Sequence, residues 1–262
     1  AHILGKTVST YQLDVGSDMD VDGFIQHVND SGANAALIIN PNNPTGTIIS
    51  QESLWQLLES FRHLDLVVVD ESFIDFVSDG PPPSAMTRLS DFSNLIILKS
   101  LSKTYGIPGL RLGYAASSNK DMIKELRSQL PIWGINSLAQ YYLENIGDYE
   151  EQFADSCAEV RHATQILYTG LQGISFLEPY RSQGNFVLSR LLSRFTATEL
   201  TTRLFDEFKI LINDCSKKRG LDDRFVRMAS RTAEENSHLI QALHTLDTTI
   251  PVEKWYDERA YR

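Results

Sequence analysis

Lys103 sits just past an apolar run, Asn94-Leu95-Ile96-Ile97-Leu98, which reads as a buried strand. Ser100 and Ser102 stand close by, and Gly106, Pro108 and Gly109 lead on to Arg111 and a second strand. A lysine beyond the carboxyl end of a strand, among small hydroxyl residues, suits a covalent-cofactor site. Its amine can form a Schiff base while the hydroxyls and an arginine hold an anionic group. The plainer reading is a solvated turn, since most turn lysines are surface residues and Gly-Pro-Gly is ordinary loop chemistry.

Two more stretches carry polar residues in similar places: Asn40-Pro41-Asn42-Asn43-Pro44-Thr45-Gly46, and Val67-Val68-Val69-Asp70-Glu71-Ser72-Phe73. Asp70 ends an apolar strand, where an unpaired carboxylate is costly; it either caps a turn or serves as a counter-ion. Asn43 is either a turn asparagine or a ligand-binding one. In order, spacing and residue type, the three stretches together resemble the fold-type I pyridoxal-phosphate enzymes of the class I/II aminotransferase group.

That resemblance implies a role for each residue. Lys103 is the covalent attachment point, Ser100 and Arg111 grip the cofactor phosphate, and Ser102 adds a contact. Asp70 keeps the pyridinium nitrogen protonated, and Asn43 bonds the phenolic oxygen. Phe73 stands where aminotransferases of the group usually have tyrosine, and the same substitution is typical of the threonine-phosphate decarboxylases of cobalamin biosynthesis. Arg227 matches the arginine that takes the substrate carboxylate. Arg231 matches a second arginine of the decarboxylases, where histidinol-phosphate aminotransferases usually have glycine. Two arginines four residues apart suit a substrate with both carboxylate and phosphate, with Asn185 beside them; alternatively Arg224 or Arg231 makes a structural ion pair.

The elements that must position these groups alternate. Val21–Asn29 reads as a helix, Ala35–Asn40 as a strand, 50–62 as a helix capped by Ser50, and Leu66–Asp70 as a strand. Thr7–Leu13 reads as a short strand, and Gly80-Pro81-Pro82-Pro83 as a stiff surface loop. Apolar strands between helices predict a mainly parallel α/β sheet, with all three motifs beyond strand carboxyl ends and so expected to converge. A helix follows Asn119, and Ser137–Gly170 reads as helical with a break near Gly147. Short strands at Ile174–Leu177, Asn185–Ser189, Ile210–Asn213 and Arg224–Ala229 then alternate with helices at Thr198–Phe208 and Thr232–Leu246. The expectation is a fold-type I α/β large domain over 1–155 that binds the cofactor, its sheet flanked by helices, and a smaller α+β domain over 156–262.

Composition narrows the partners. The chain has 262 residues, 42% of them hydrophobic and 22% charged, and no apolar run long enough to span a membrane. A net charge of −10 argues against nucleic acid. Cys157 and Cys215 lie far apart without metal spacing, and the histidines form no ligand cluster, so no metal and a reducing, cytoplasmic location are expected. The chain opens on Ala1 and reads as a piece of a longer protein. Against the family its N-terminal arm, a phosphate-binding glycine turn and the ring-stacking aromatic are missing.

Three functions follow as expectations. The first is decarboxylation of an O-phosphorylated amino acid, L-threonine phosphate foremost, giving aminopropanol phosphate for cobalamin synthesis. The second is amino transfer of the histidinol-phosphate type. The third is a truncated, non-catalytic member that folds or pairs with a homologue. The resemblance also implies a homodimer.

Overall fold

The computed structural model describes residues 5–77, 81–192 and 195–249. Gly80 and Ala1 lie outside them. The chain divides into two compact units, one of residues 1–42 and 47–157, the other of 43–46 and 158–262.

The first unit is built on a four-stranded sheet in the order β1 (Ala35–Ile39), β2 (Leu66–Asp70), β3 (Leu95–Ser100), β4 (Gly113–Ala116). The first three strands are parallel, with Ile39 opposite Asp70 and Asp70 opposite Leu98; β4 runs antiparallel on the edge, Gly113 opposite Ser100. A Cβ on Gly113 would stand 2.8 Å from the Lys99 carbonyl oxygen, so glycine allows this close pairing. Helices α1 (Val21–Asp30) and α2 (Gln51–Ser60) start at side-chain caps, Asp20 and Ser50, that satisfy otherwise orphaned N–H groups. Val28, Leu54, Leu57, Leu58 and Phe61 pack with Ile38, Val67, Val69, Leu95 and Ile97 into one core. Alternate residues of β1 face the other way, and Leu37 is exposed.

Thr7–Leu13 is not a strand. Among the described residues no strand pairs with it, and β propensity alone does not make it one. Tyr11 instead packs on Phe24 and His27 and donates to Asp20 Oδ2 at 2.9 Å, fastening the segment to α1.

Beyond β3 come a one-turn helix α3 (Leu101–Thr104) and, after β4, α4 (Lys120–Ser128) and α5 (Ser137–Asn145). A tight turn over Ile146–Tyr149, which holds Gly147, separates α5 from α6 (Glu150–Gln172). The division between the units falls within α6.

The second unit carries an antiparallel sheet in the order β5 (Leu177–Pro179), β6 (Phe186–Leu191), β8 (Phe225–Ala229), β7 (Asn213–Asp214). Helices α7 (Ala197–Phe208) and α8 (Ala233–Thr249) and the end of α6 pack on it through Leu171, Leu200, Leu204, Val226, Leu239 and Leu243. Two strands differ from expectation. The first begins only at Leu177, because 174–176 form a turn, and its Pro179 suits an edge. Of Ile210–Asn213 only Asn213 enters a ladder; Ile210 and Ile212 are spent on the core. No helix of the described residues is long and apolar enough to cross a membrane.

Candidate active site

In the first unit the chemistry gathers where β2 and β3 end side by side. The Asp70 carbonyl accepts from the Asn40 N–H at 2.9 Å, which continues the ladder. Past it the chain turns, and Ser72 donates twice to Asp70 Oδ1, from its N–H at 2.9 Å and from its hydroxyl at 2.5 Å. Among the described residues nothing donates to Oδ2. Phe73 follows, buried, ahead of a short turn over Ile74–Phe76.

One strand over, Ser100 ends β3 and caps α3, its hydroxyl oxygen accepting the Ser102 N–H at 3.3 Å. That contact leaves the hydroxyl proton of Ser100 for an outside acceptor. The turn of α3 buries Leu101, Ser102 and Thr104 and leaves Lys103 exposed. Arg111 is held at φ 58°, in the left-handed region that residues with a Cβ rarely adopt. Its Nη1 donates to the Pro108 carbonyl at 3.1 Å, while the Leu101 N–H reaches the Leu112 carbonyl at 3.1 Å, closing the loop onto α3. The cluster thus combines an exposed amine, an open carboxylate oxygen, hydroxyls and a guanidinium. Such a set can bind an aldehyde that carries an anionic group.

The same unit holds buried polar and aromatic contacts that the sequence did not announce. Lys99 and Asp75 form an ion pair at 2.6 Å with side chains only 14% and 9% exposed. Glu71 is buried and accepts from the Ser84 hydroxyl and the Ala85 N–H; burial raises its pKa, against those two bonds. Tyr105 stacks on Phe153 with centroids 4.2 Å apart, and burial with help from Asp75 pushes its hydroxyl up to about 12. A signal for the ion pair was present, a lysine inside an apolar strand, but its partner lies 24 residues away.

In the second unit Arg227, on β8, donates from Nη1 to Asn43 Oδ1 at 2.6 Å and lies over the Phe186 ring, 4.9 Å from its centroid. Burial lowers its pKa, with Cys215 acting the other way, and its Nε is buried without a partner among the described residues. Asn185 is half-buried next to β6, its carbonyl accepting the Ser230 N–H at 2.8 Å. Gly46, at φ 73°, approaches Ser182 so closely that a Cβ would stand 2.0 Å from its hydroxyl oxygen. Only glycine fits there, which accounts for the last residue of the Asn43–Gly46 turn. Arg231 has different surroundings: its side chain is 66% exposed and its Nε pairs with Glu235 at 2.7 Å. Arg224 likewise pairs with Asp222, at 3.3 Å.

Residues 2–243 match the family model described as aminotransferase class I and II. The chain belongs to the class I and II aminotransferase family. Among its relatives is a CMP-5'-(3-aminopropyl)phosphonate synthase of Streptomyces rubellomurinus, 36% identical over 91% of this chain and 38% of that protein. An L-serine phosphate decarboxylase of Campylobacter jejuni is 30% identical over 86% of this chain and 59% of its own. The solved histidinol-phosphate aminotransferase of Clostridium acetobutylicum superposes with a TM-score of 0.84 at 27% identity, covering 91% of this chain and 70% of that one. The family's fold-type I α/β architecture is therefore the fold of this chain, as expected. The chain spans less than two thirds of the length of these two curated relatives.

Proposed function

We propose that this chain carries the cofactor- and substrate-binding residues of a pyridoxal-phosphate decarboxylase acting on an O-phosphorylated hydroxy amino acid, L-threonine or L-serine phosphate. The donor set fits that cofactor: Asp70 Oδ2 has no donor among the described residues, and a protonated ring nitrogen would supply one. Bound pyridoxal phosphate supplies the electron sink for the pair released when a bond to the substrate's α-carbon breaks.

The chain's own residues do the rest. Lys103 holds the cofactor covalently and then moves a proton at the α-carbon: onto it once carbon dioxide has left, or off it in amino transfer. Ser100, Ser102 and Arg111 would hold the cofactor phosphate, and Asp70 would orient the ring. Arg227 and Asn185 take the substrate carboxylate, and Arg231 takes its phosphate through the two terminal nitrogens that its pairing to Glu235 leaves open. In sum, an α-amino acid and a proton become an amine and carbon dioxide.

The single observation that carries decarboxylation over amino transfer is Phe73, buried and without a hydroxyl at the position where aminotransferases of the group usually have tyrosine. The decarboxylase among the relatives supports the same reading. Amino transfer of the histidinol-phosphate type is the second reading, favoured by the superposition with that enzyme. On this proposal the large domain, residues 1–155, binds the cofactor, residues 156–262 form the small domain, and the protein is a cytoplasmic homodimer.

The test is to incubate the chain with pyridoxal phosphate and each phosphoamino acid, following carbon dioxide and keto acid together. Carbon dioxide with little keto acid is expected. Conversion of the cofactor to its pyridoxamine form on adding histidinol phosphate, with no carbon dioxide from either phosphoamino acid, would establish the second reading.

A further inference from the structure

We infer that Ser72 is a positioning residue that ties the Asp70 carboxylate to the start of the lysine-bearing turn; the inference rests on the cofactor site proposed above. The Ser100 N–H donates to Ser72 Oγ at 3.1 Å, and the Ser72 hydroxyl in turn donates to Asp70 Oδ1 at 2.5 Å. The hydroxyl has one proton, and giving it to the carboxylate leaves its lone pair to receive the amide. The result is a one-way chain, Ser100 N–H to Ser72 O–H to Asp70, ending on the charged group, in which each bond polarises the next.

This chain has three consequences. Oδ1 of Asp70 is saturated by two donors from Ser72, so the carboxylate is fixed with Oδ2 as its open oxygen. The Ser100 N–H is already used, so Ser100 meets an anion through its hydroxyl and not its backbone. The ends of two adjacent strands, paired at Asp70 and Leu98, are also held at one spacing by a side chain 28 residues from its amide donor. That spacing sets how far the ring-nitrogen partner stands from the phosphate grip and from Lys103. Alanine at position 72 keeps the backbone bond to Oδ1 but loses both hydroxyl bonds.

The experiment titrates pyridoxal phosphate into the chain and reads the absorption band that depends on Lys103, alongside thermal unfolding without cofactor. Ser72→Ala should raise the cofactor Kd about tenfold, the loss of a hydrogen bond to a charged group. Ser72→Thr, which keeps the hydroxyl, should stay within about twofold on the same scale. In an Asp70→Asn background, Ser72→Ala should change the Kd less than about twofold, because the charge it positions is gone. Should the alanine variant fail to fold, Ser72→Cys, a weak donor of similar size, should show the tenfold loss instead. A Ser72→Ala Kd equal to wild type, or an equal loss in the Asp70→Asn background, overturns the inference while the band itself upholds the cofactor site. Absence of the band in folded wild type overturns both.

Discussion

Arg227 and Arg231 carry the same guanidinium four residues apart, yet their surroundings assign them different work. Arg227 is half-buried over Phe186 and committed to Asn43 through one nitrogen; the Arg231 side chain is exposed and pairs through Nε. An exposed pair of this kind is worth at most about 1 kcal/mol, so it opens readily for a phosphate. Arg231→Gln is therefore expected to raise KM for the phosphorylated substrate about 10- to 100-fold. Steady-state kinetics would show it, with stability changed by less than about 0.5 kcal/mol. At this scale the sequence was legible where a residue's type announced its chemistry. An ion pair at Arg231 was one of the readings its type offered, and its partner Glu235 lies in the first turn of α8. Ser72 was not legible: after an aspartate a serine reads as turn chemistry, and its amide donor belongs to another strand.

Elements hold these groups through a small number of buried polar contacts. Lys99 and Asp75 neutralise each other in a nearly dry place, and Asp75 Oδ2 has no other partner among the described residues. Lys99→Met should cost about 3–5 kcal/mol in urea unfolding, and adding Asp75→Leu should recover much of it, since the penalty is the unpaired charge. Glu71 gives a pH signature. Its pKa is raised in the fold by burial, so above its ordinary value of 4.5 the folded chain keeps a proton that the unfolded chain releases. Stability attributable to Glu71 thus falls as pH rises through the window above 4.5, and is unchanged below it. Glu71→Gln, whose amide can still meet Ser84 and Ala85, should remove that slope when unfolding is followed across the window. The strands β1, β2 and β3 and the cap Ser50 were legible because apolar runs and cap residues act locally. Thr7–Leu13 and Ile210–Asn213 were not, because whether a β-prone segment becomes a strand depends on a partner that local sequence does not specify.

For the molecule as a whole, the segment after α4 leaves its apolar side chains in solvent: Leu130 is 68% exposed, Ile132 85% and Trp133 93%, with Leu138 and Tyr141 nearby on α5. The homodimer proposed above would cover this patch. The proposed homodimer predicts that Ile132→Asp with Trp133→Asp shifts sedimentation from dimer to monomer while circular dichroism stays unchanged. The proposed chemistry depends on Lys103. The most direct measurement is the absorption spectrum of the folded chain with pyridoxal phosphate, wild type against Lys103→Ala. A new band near the visible is expected in the wild type and absent from the variant, with both proteins equally folded. A folded wild type without the band, or a variant that shows it undiminished, would contradict the covalent role of Lys103.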